Sequence, residues 1–399
     1  AVGGSSNQII NLIIGFFVGV SSGATVIIAQ HYGSRKETEL SHALHTAIAF
    51  STVSSIFLMG AGYFLAPALL SMMNTPESMM ADSVTYLRIF FLGILFTFIY
   101  NIGSSILRSV GDSKRPLYYL IVCCFFNIGL DLLFVLVFHM GIAGAAIATV
   151  LSQAVSAILV LLALIRTSDI YKLHLRNVRF FEGSLSSILR IGIPAGLQAA
   201  MYSLSNIIIQ TALNALGTDT VAAWTSFGKM DAFCWMVISA FGISATTFVG
   251  QNYGAGKYDR VRKSVRVCLG MTLASSITMS IFLMTAGKYL FHLFTSDPEV
   301  IRIGIQILNY MAPAYALFVF IEIYSGALRG IGDVIIPTIM TCCGVCVFRT
   351  LWVFLLVPKS PTIETITLSY PISWGITAVL FIIYYYKKQK KLGMENFDQ

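Results

Sequence analysis

Long apolar segments alternate with short polar ones along the whole chain. Each apolar segment has roughly the 20 residues that an α-helix needs to cross the hydrocarbon core of a bilayer. No polar segment between them is long enough to form a soluble domain. The pattern therefore predicts an all-α integral membrane protein with eleven spans. Their predicted ranges are 5–30, 41–71, 84–107, 116–138, 141–165, 190–215, 219–250, 264–287, 303–328, 335–357 and 366–386.

The composition of the chain agrees with this pattern. Of its 399 residues, 56% are hydrophobic and 11% are charged, whereas soluble domains carry about 25% charged residues. The mean hydropathy is +0.79. All seven cysteines lie inside apolar segments, so they indicate packing between helices rather than a disulfide framework or a metal site.

Basic residues are distributed unevenly between the loops. Of the 26 lysines and arginines, 20 fall in one set of alternate loops and three in the other. Loops rich in Lys and Arg stay on the cytoplasmic side of a membrane. This bias predicts a cytoplasmic C-terminus and a cytoplasmic segment 166–189, and it explains the net charge of +8 without a nucleic-acid partner.

Two sequence motifs occur twice, each with a spacing of 221 residues. Ten identities fall in two ten-residue windows, where chance would give about one. The first window pairs Ala24, Thr25, Gln30, Tyr32 and Gly33 with Ala245, Thr246, Gln251, Tyr253 and Gly254. The second pairs Leu107, Arg108, Gly111, Asp112 and Pro116 with Leu328, Arg329, Gly332, Asp333 and Pro337. Both members of each pair lie at cytoplasmic helix ends, so the repeats are parallel.

The repeat predicts a two-lobed bundle of parallel six-helix repeats, of which eleven of twelve helices are present. The predicted domains are an N-lobe at 1–165, a cytoplasmic linker at 166–189, a C-lobe at 190–386 and a cytoplasmic tail at 387–399. The first helix of the second half maps to positions before Ala1, so we expect the chain to begin partway into a longer product.

Several of these motifs resemble those of the MATE multidrug exporters. The resemblance lies in the Q-x-Y-G motif at Gln30–Gly33 and again within 250–257, and in the L-R-x-x-G-D-x3-P turns. It extends to Asn127 and Asp131, followed by GIAGAAIAT at 141–149. The order and duplication of the motifs extend the resemblance over essentially the whole chain.

The resemblance implies a two-lobed, alternating-access antiporter that exports organic cations in exchange for H⁺ or Na⁺. It implies no cofactor besides the coupling ion, no nucleic-acid partner and a monomer in the cell membrane. A flippase for lipids or lipid-linked precursors, of the same superfamily, is the alternative. An intramembrane enzyme or an ATP-driven pump is disfavoured, because the chain has no H-E-x-x-H motif and no P-loop and its six histidines do not cluster.

Asp131 lies in the middle of a predicted span, where an ionisable residue costs at least about 2.5–3.5 kcal/mol and is a functional candidate. Asn127, four residues earlier, shares its helix face. Amide and carboxylate oxygens suit Na⁺, whereas a buried, unpaired carboxylate would hold a proton. In the resemblance Asn127, Asp131 and Thr149 match an N-lobe cation or proton site. The alternative is that Asn127 and Asp131 only join neighbouring helices.

A second group of charged residues lies in the spans of the other half. Glu322 is a candidate for proton or cation coupling, or else an ion-pair partner of Arg349 or Lys229. Some members of the resembling family place an acid one turn earlier on this helix, where this chain has apolar residues such as Phe318. Lys229 and Asp231 are expected to pair across helices or to line a watery cavity.

A polar stripe runs along the span predicted at 190–215. Its residues recur every four positions and stay mostly on one side of the helix. Polar groups are costly toward lipid, so the stripe is expected to face either a substrate cavity or other helices. Its members are Gln198, Tyr202, Asn206, Gln210 and Asn214, of which the first four are the candidate cavity residues.

Overall fold

The computed structural model describes residues 2–72 and 77–392, which form eleven long helices and, within these ranges, no β-strand. The predicted all-α architecture is confirmed. Ten helices are long and apolar enough to cross a membrane, and α6 differs because its polar residues lower its hydropathy. The helices are α1 Val2–Gly33, α2 Glu37–Met72, α3 Glu77–Ser109, α4 Lys114–Val137, α5 Gly141–Arg166, α6 Glu182–Asn214, α7 Thr218–Gly254, α8 Tyr258–His292, α9 Pro298–Gly330, α10 Ile335–Leu356 and α11 Ile363–Lys391.

The internal repeat is visible in the helix bounds themselves. A shift of 221 residues carries Glu77–Ser109 onto Pro298–Gly330, so α3 and α9 begin and end at equivalent positions. The same shift carries the start of α4, Lys114, onto the start of α10, Ile335. Both α4 and α10 also contain a six-residue π-helical stretch. The two halves therefore share one helical plan.

The turn after α3 has the same geometry as the turn after α9. Gly111 and Gly332 adopt φ values of 96° and 86°, in the left-handed region that glycine favours. The N–H of Asp112 donates to the carbonyl of Leu107 at 2.9 Å, and the corresponding bond after α9 has the same length. These bonds satisfy carbonyls at the helix end, as expected for a motif that closes a helix.

The chain divides into two compact units, residues 1–199 and residues 200–399. In the first unit, α3 packs against α1, α2 and α5, and α4 packs against α5. In the second unit, α9 packs against α7, α8 and α11, and α10 packs against α11. The equivalent helices of the repeat therefore make equivalent contacts within each unit.

Helix α6 begins eight residues before its predicted start, and its N-terminal half belongs to the first unit. There it crosses α1 through glycines: a Cβ on Gly23 would lie 2.7 Å from the nitrogen of Gly192, and one on Gly19 would lie 2.6 Å from the Cα of Gly196. Small residues at such crossings let two membrane helices approach closely. Ser21 gives this stretch a G-x-S-x-G spacing, but it lies within a continuous helix rather than at a nucleophile elbow.

The segment before α6 is held against α2 by side-chain acceptors. The backbone N–H of His174 donates to Nε2 of His45 at 3.0 Å, and that of Phe181 donates to the hydroxyl oxygen of Thr46 at 3.1 Å. The ring of Phe181 also stacks on His42 with centroids 3.9 Å apart. These contacts fix a segment that has little helix of its own.

Candidate functional site

Asp131 closes the α-helical part of α4, and the next six residues, Leu132–Val137, are π-helical. Its carboxylate oxygen Oδ1 is buried and has no hydrogen-bond partner among the described residues. The amide nitrogen Nδ2 of Asn127, one turn earlier, is also buried and without a partner there. A buried polar atom left unsatisfied costs about 1–3 kcal/mol. A bound cation or proton would relieve that cost at the carboxylate.

The third residue of the predicted N-lobe site, Thr149, lies on α5, the helix against which α4 packs. Its hydroxyl donates to the carbonyl of Ala145 at 2.9 Å. This bond uses the hydroxyl proton and leaves the lone pairs of the oxygen able to coordinate a cation. The roles of Asn127, Asp131 and Thr149 as a coupling site remain a prediction.

The second unit contains a cavity of about 460 Å³, within the range of roughly 300–1,000 Å³ that is typical of small-molecule sites. Four aromatic rings, two amides, one carboxylate and one guanidinium contribute to its wall. The lining residues are Tyr202, Asn206, Ile209, Gln210, Trp224, Gly228, Asp231, Ala232, Trp235, Arg349 and Tyr370.

The carboxylate of this cavity is held by a buried tyrosine. Asp231 lies on α7, and its Oδ1 accepts a hydrogen bond from the hydroxyl of Tyr315 on α9. Tyr315 is almost completely buried. One turn along α7, the indole of Trp235 packs against Phe318 with ring centroids 4.4 Å apart. The contact between α7 and α9 therefore sets the position of the carboxylate.

The guanidinium of the cavity belongs to Arg349, which is only 2% exposed. Its Cζ lies 3.9 Å from the ring centroid of Tyr370 and 5.6 Å from that of Trp374. Its Nε donates to the hydroxyl of Ser373 at 3.4 Å. Nη2 has no hydrogen-bond partner, and no carboxylate oxygen of the described chain lies within 4.0 Å of the group. Arg349 is thus a buried cation without an ion pair.

Glu322 is half-buried where α9 meets α7. A Cβ on Gly242 would lie 2.3 Å from Oε1 of Glu322, so the carboxylate rests against that glycine. Within the described ranges it forms no ion pair with Arg349 or Lys229, the partners considered for it. Lys229 is exposed and lies 5.0 Å from the ring centroid of Phe294. A coupling role for Glu322 remains a prediction.

The structure brings together three of the four residues predicted to line a cavity. Tyr202, Asn206 and Gln210 contribute to the wall of the cavity in the second unit. Gln198 lies one turn earlier on α6, in the first unit and outside that wall. Gln210 also donates to the side chain of Asn214 at 2.9 Å. Their binding role is not tested by this geometry and remains a prediction.

Sequence reasoning did not select Trp224, Trp235, Tyr370 or Arg349 for this site. An arginine in the middle of an apolar segment is a visible signal, but its partners are 21 or more residues away in sequence. The aromatic residues carry no signal of their own, because 13% of the chain is aromatic. Only the packing of α6, α7, α10 and α11 identifies them.

Comparison with known proteins gives consistent matches. The family model MatE matches residues 1–133 and 194–355. The "Probable multidrug resistance protein YpnP" of Bacillus subtilis is 32% identical over 82% of this chain and 73% of its own length. The "Probable multidrug resistance protein YoeA" of the same organism is 29% identical over 97% and 86%. A solved MOP superfamily transporter from Pyrococcus furiosus has a TM-score of 0.91 at 20% identity, over 98% of this chain and 88% of that one.

Proposed function

The chain belongs to the MATE family of membrane transporters, and from this premise we propose that it exports small organic cations in exchange for H⁺ or Na⁺. Its ten apolar helices of membrane-spanning length make it a multi-pass membrane protein. The proposed mechanism is alternating access, in which one coupling ion enters as one substrate leaves. The proposed location is the cell membrane, with the C-terminus on the cytoplasmic side.

The observation that carries the proposal is the buried, unpartnered carboxylate oxygen of Asp131. Its energetic cost is relieved when a cation or proton is bound, so occupancy of the site changes the stability of the conformation that buries it. A ligand that binds two conformations with different affinities shifts the balance between them. Asp131 therefore supplies what coupling requires, with Asn127 and Thr149 as neighbouring polar groups.

The substrate part of the proposal is supported by the cavity in the second unit. Its aromatic wall suits flat organic molecules, and aromatic faces attract organic cations. The carboxylate of Asp231 provides a negative group at the same wall. The names of the two Bacillus relatives describe them as probable multidrug resistance proteins, which favours a small organic compound as the exported substrate.

The topology part of the proposal predicts that the segment 167–181 and the C-terminal end of α11 face the cytoplasm. In the structure, Lys388 near that end pairs with Asp333 at 2.6 Å, in the turn after α9. The loops that carry most of the basic residues are thus linked to one another. Labelling of single introduced cysteines by a membrane-impermeant maleimide, outside cells and after permeabilisation, would test this topology.

The decisive experiment is transport in proteoliposomes. Purified protein is reconstituted with ethidium, and a Na⁺ gradient or a pH gradient is imposed in turn. We expect dye movement under one of the two gradients and its loss in Asp131→Asn, because the amide keeps the shape but cannot hold the ion as a carboxylate does. Asp219→Asn, which changes an exposed aspartate at the start of α7, is the matched control.

The outcomes separate the proposals. Movement that names the ion and vanishes only in Asp131→Asn supports cation-coupled export. Equal transport by Asp131→Asn and the parent protein would remove Asp131 from coupling. Absence of movement under both gradients would argue against export of organic cations and would favour the flippase alternative, which is then measured by scrambling of a fluorescent lipid.

A further inference from the structure

Arg349 is a buried charge whose binding capacity is incompletely used. A guanidinium carries five N–H donors, and burying a charged group without full pairing costs several kcal/mol. The ring of Tyr370 compensates part of this cost through a cation–π contact. Nη2 is nevertheless left without a hydrogen-bond partner among the described residues. An unsatisfied buried donor in the wall of a cavity calls for a functional explanation.

The fold itself does not require an arginine at this position. The shift of 221 residues that relates the two halves carries Arg349 onto Ile128 of α4. Helix α4 has the same start as α10 in the repeat and also contains a π-helical stretch, yet it is built with isoleucine there. A positive group at this depth is therefore a feature of the second unit that the shared helical plan does not explain.

The cavity places flat apolar surfaces beside this guanidinium. Tyr370 lies under Arg349, and the ring centroid of Trp224 is 5.8 Å from that of Tyr370. Trp235 contributes to the same wall, and the amides of Asn206 and Gln210 lie on the side of α6. A molecule with an aromatic ring against the tryptophans would bring a substituent toward Nη2.

We propose that the cavity of the second unit binds aromatic compounds through a carboxylate or phosphate group, which pairs with the guanidinium of Arg349. The planar guanidinium matches both oxyanions and can donate two parallel hydrogen bonds to either. The oxyanion would satisfy the free donor and neutralise the buried charge. The inference deepens the proposed transport function, on which it rests for its relevance to substrate choice, by adding an acidic group to the compound.

Asp231 has the opposite effect on such a ligand. Its carboxylate shares the wall of the cavity and is held there by Tyr315. It would repel an oxyanion and would attract an amine on the same molecule. A purely anionic aromatic compound is therefore expected to bind more tightly when Asp231 is neutral, and an organic cation that also carries a carboxylate would use both groups.

The test measures binding without any ion gradient, so that it is independent of transport. Purified protein in lipid nanodiscs is titrated calorimetrically with 2-naphthoate, 2-naphthyl phosphate and the neutral 2-naphthamide, and the heats from empty nanodiscs are subtracted. We expect at least one oxyanion to bind about tenfold or more tightly than the amide, as a charge-assisted hydrogen bond allows. The tighter of the two oxyanions identifies the preferred group.

Three variants of the cavity assign the preference to its charged groups. Arg349→Gln should abolish the preference for the oxyanion, Arg349→Lys should keep part of it, and Asp231→Asn should increase it. Arg88→Gln is the matched control, because Arg88 also lies over a tyrosine ring, that of Tyr63 at 4.9 Å, but in the first unit. If Arg349→Gln does not fold, the partial loss in Arg349→Lys carries the test.

An equal affinity of the parent protein for naphthoate, naphthyl phosphate and naphthamide would overturn the proposal, as would a preference that survives in both Arg349 variants. The outcome is separable from that of the transport experiment. Oxyanion binding without dye movement would leave this inference standing and contradict export of the dye. Coupled dye movement without oxyanion binding would support the proposed function and refute this inference.

Discussion

Replacement of Gly326 by alanine should destabilise the second unit through a clash between two backbones. A Cβ at Gly326 would lie 2.6 Å from the carbonyl oxygen of Gly242 on α7. This is about 0.8 Å short of ordinary van der Waals contact, which begins at 3.4 Å. The atom in the way is a backbone carbonyl in a helix, so it cannot rotate aside as a side chain would. Helices α7 and α9 must therefore separate.

The expected cost follows from the contacts that this separation weakens. Overpacking of this kind costs about 1–3 kcal/mol. The hydroxyl of Thr246 donates to the carbonyl of Gly326 at 3.0 Å, and loss of that bond adds about 1 kcal/mol. The higher helix propensity of alanine returns up to about 1 kcal/mol. The net fall in the free energy of unfolding is about 1–3 kcal/mol, or about 5 °C in midpoint for a unit of this size.

The assay is thermal unfolding of the purified protein in detergent, followed by the change in tryptophan fluorescence. Gly270→Ala is the matched control: Gly270 is exposed on α8, and a Cβ there would meet no heavy atom within 4 Å. We expect this control to unfold at or slightly above the midpoint of the parent protein. If Gly326→Ala were as stable as Gly270→Ala, the close contact between α7 and α9 would not exist as described.

Two further predictions concern single hydrogen bonds. Tyr315→Phe removes the donor to Asp231, so it should lower the free energy of unfolding by about 1.5–3 kcal/mol, whereas Tyr289→Phe, an exposed control, should change the unfolding midpoint by less than its experimental error. His45→Ala removes the acceptor of the His174 N–H and should speed tryptic cleavage before α6; an unchanged cleavage rate would show that this contact does not hold the segment.

The helices could be predicted from sequence to within a few residues because lipid imposes one simple rule. A span must be apolar for about 20 residues, and the predicted 335–357 became Ile335–Leu356 in the structure. The start of α6 was missed because its first turns, from Glu182, contain serines, a glycine and an arginine that also suit a linker. The hydropathy of those turns cannot distinguish a polar helix from a polar loop.

The candidate sites were less predictable because they depend on contacts between distant residues. The spacing of Tyr202, Asn206 and Gln210 predicted that they share a helix face, which lines a cavity. The same spacing included Gln198, because periodicity along one helix does not show where a neighbouring helix ends its contact. The environment of Arg349 depends on Tyr370, and nothing in the sequence around either residue indicates that contact.

The internal repeat offers a way to separate residues that build this fold from residues that give it chemistry. Positions that agree under the shift, such as Gly111 and Gly332, make the same turn in both halves and answer to the shared helical plan. Positions that disagree are not required by that plan. Asp131 of α4 maps onto Trp352 of α10, and Arg349 of α10 maps onto Ile128 of α4. The two equivalent helices thus carry opposite charges that the repeat does not conserve, which assigns cation coupling to the first half and oxyanion binding to the second as independent, separately testable properties.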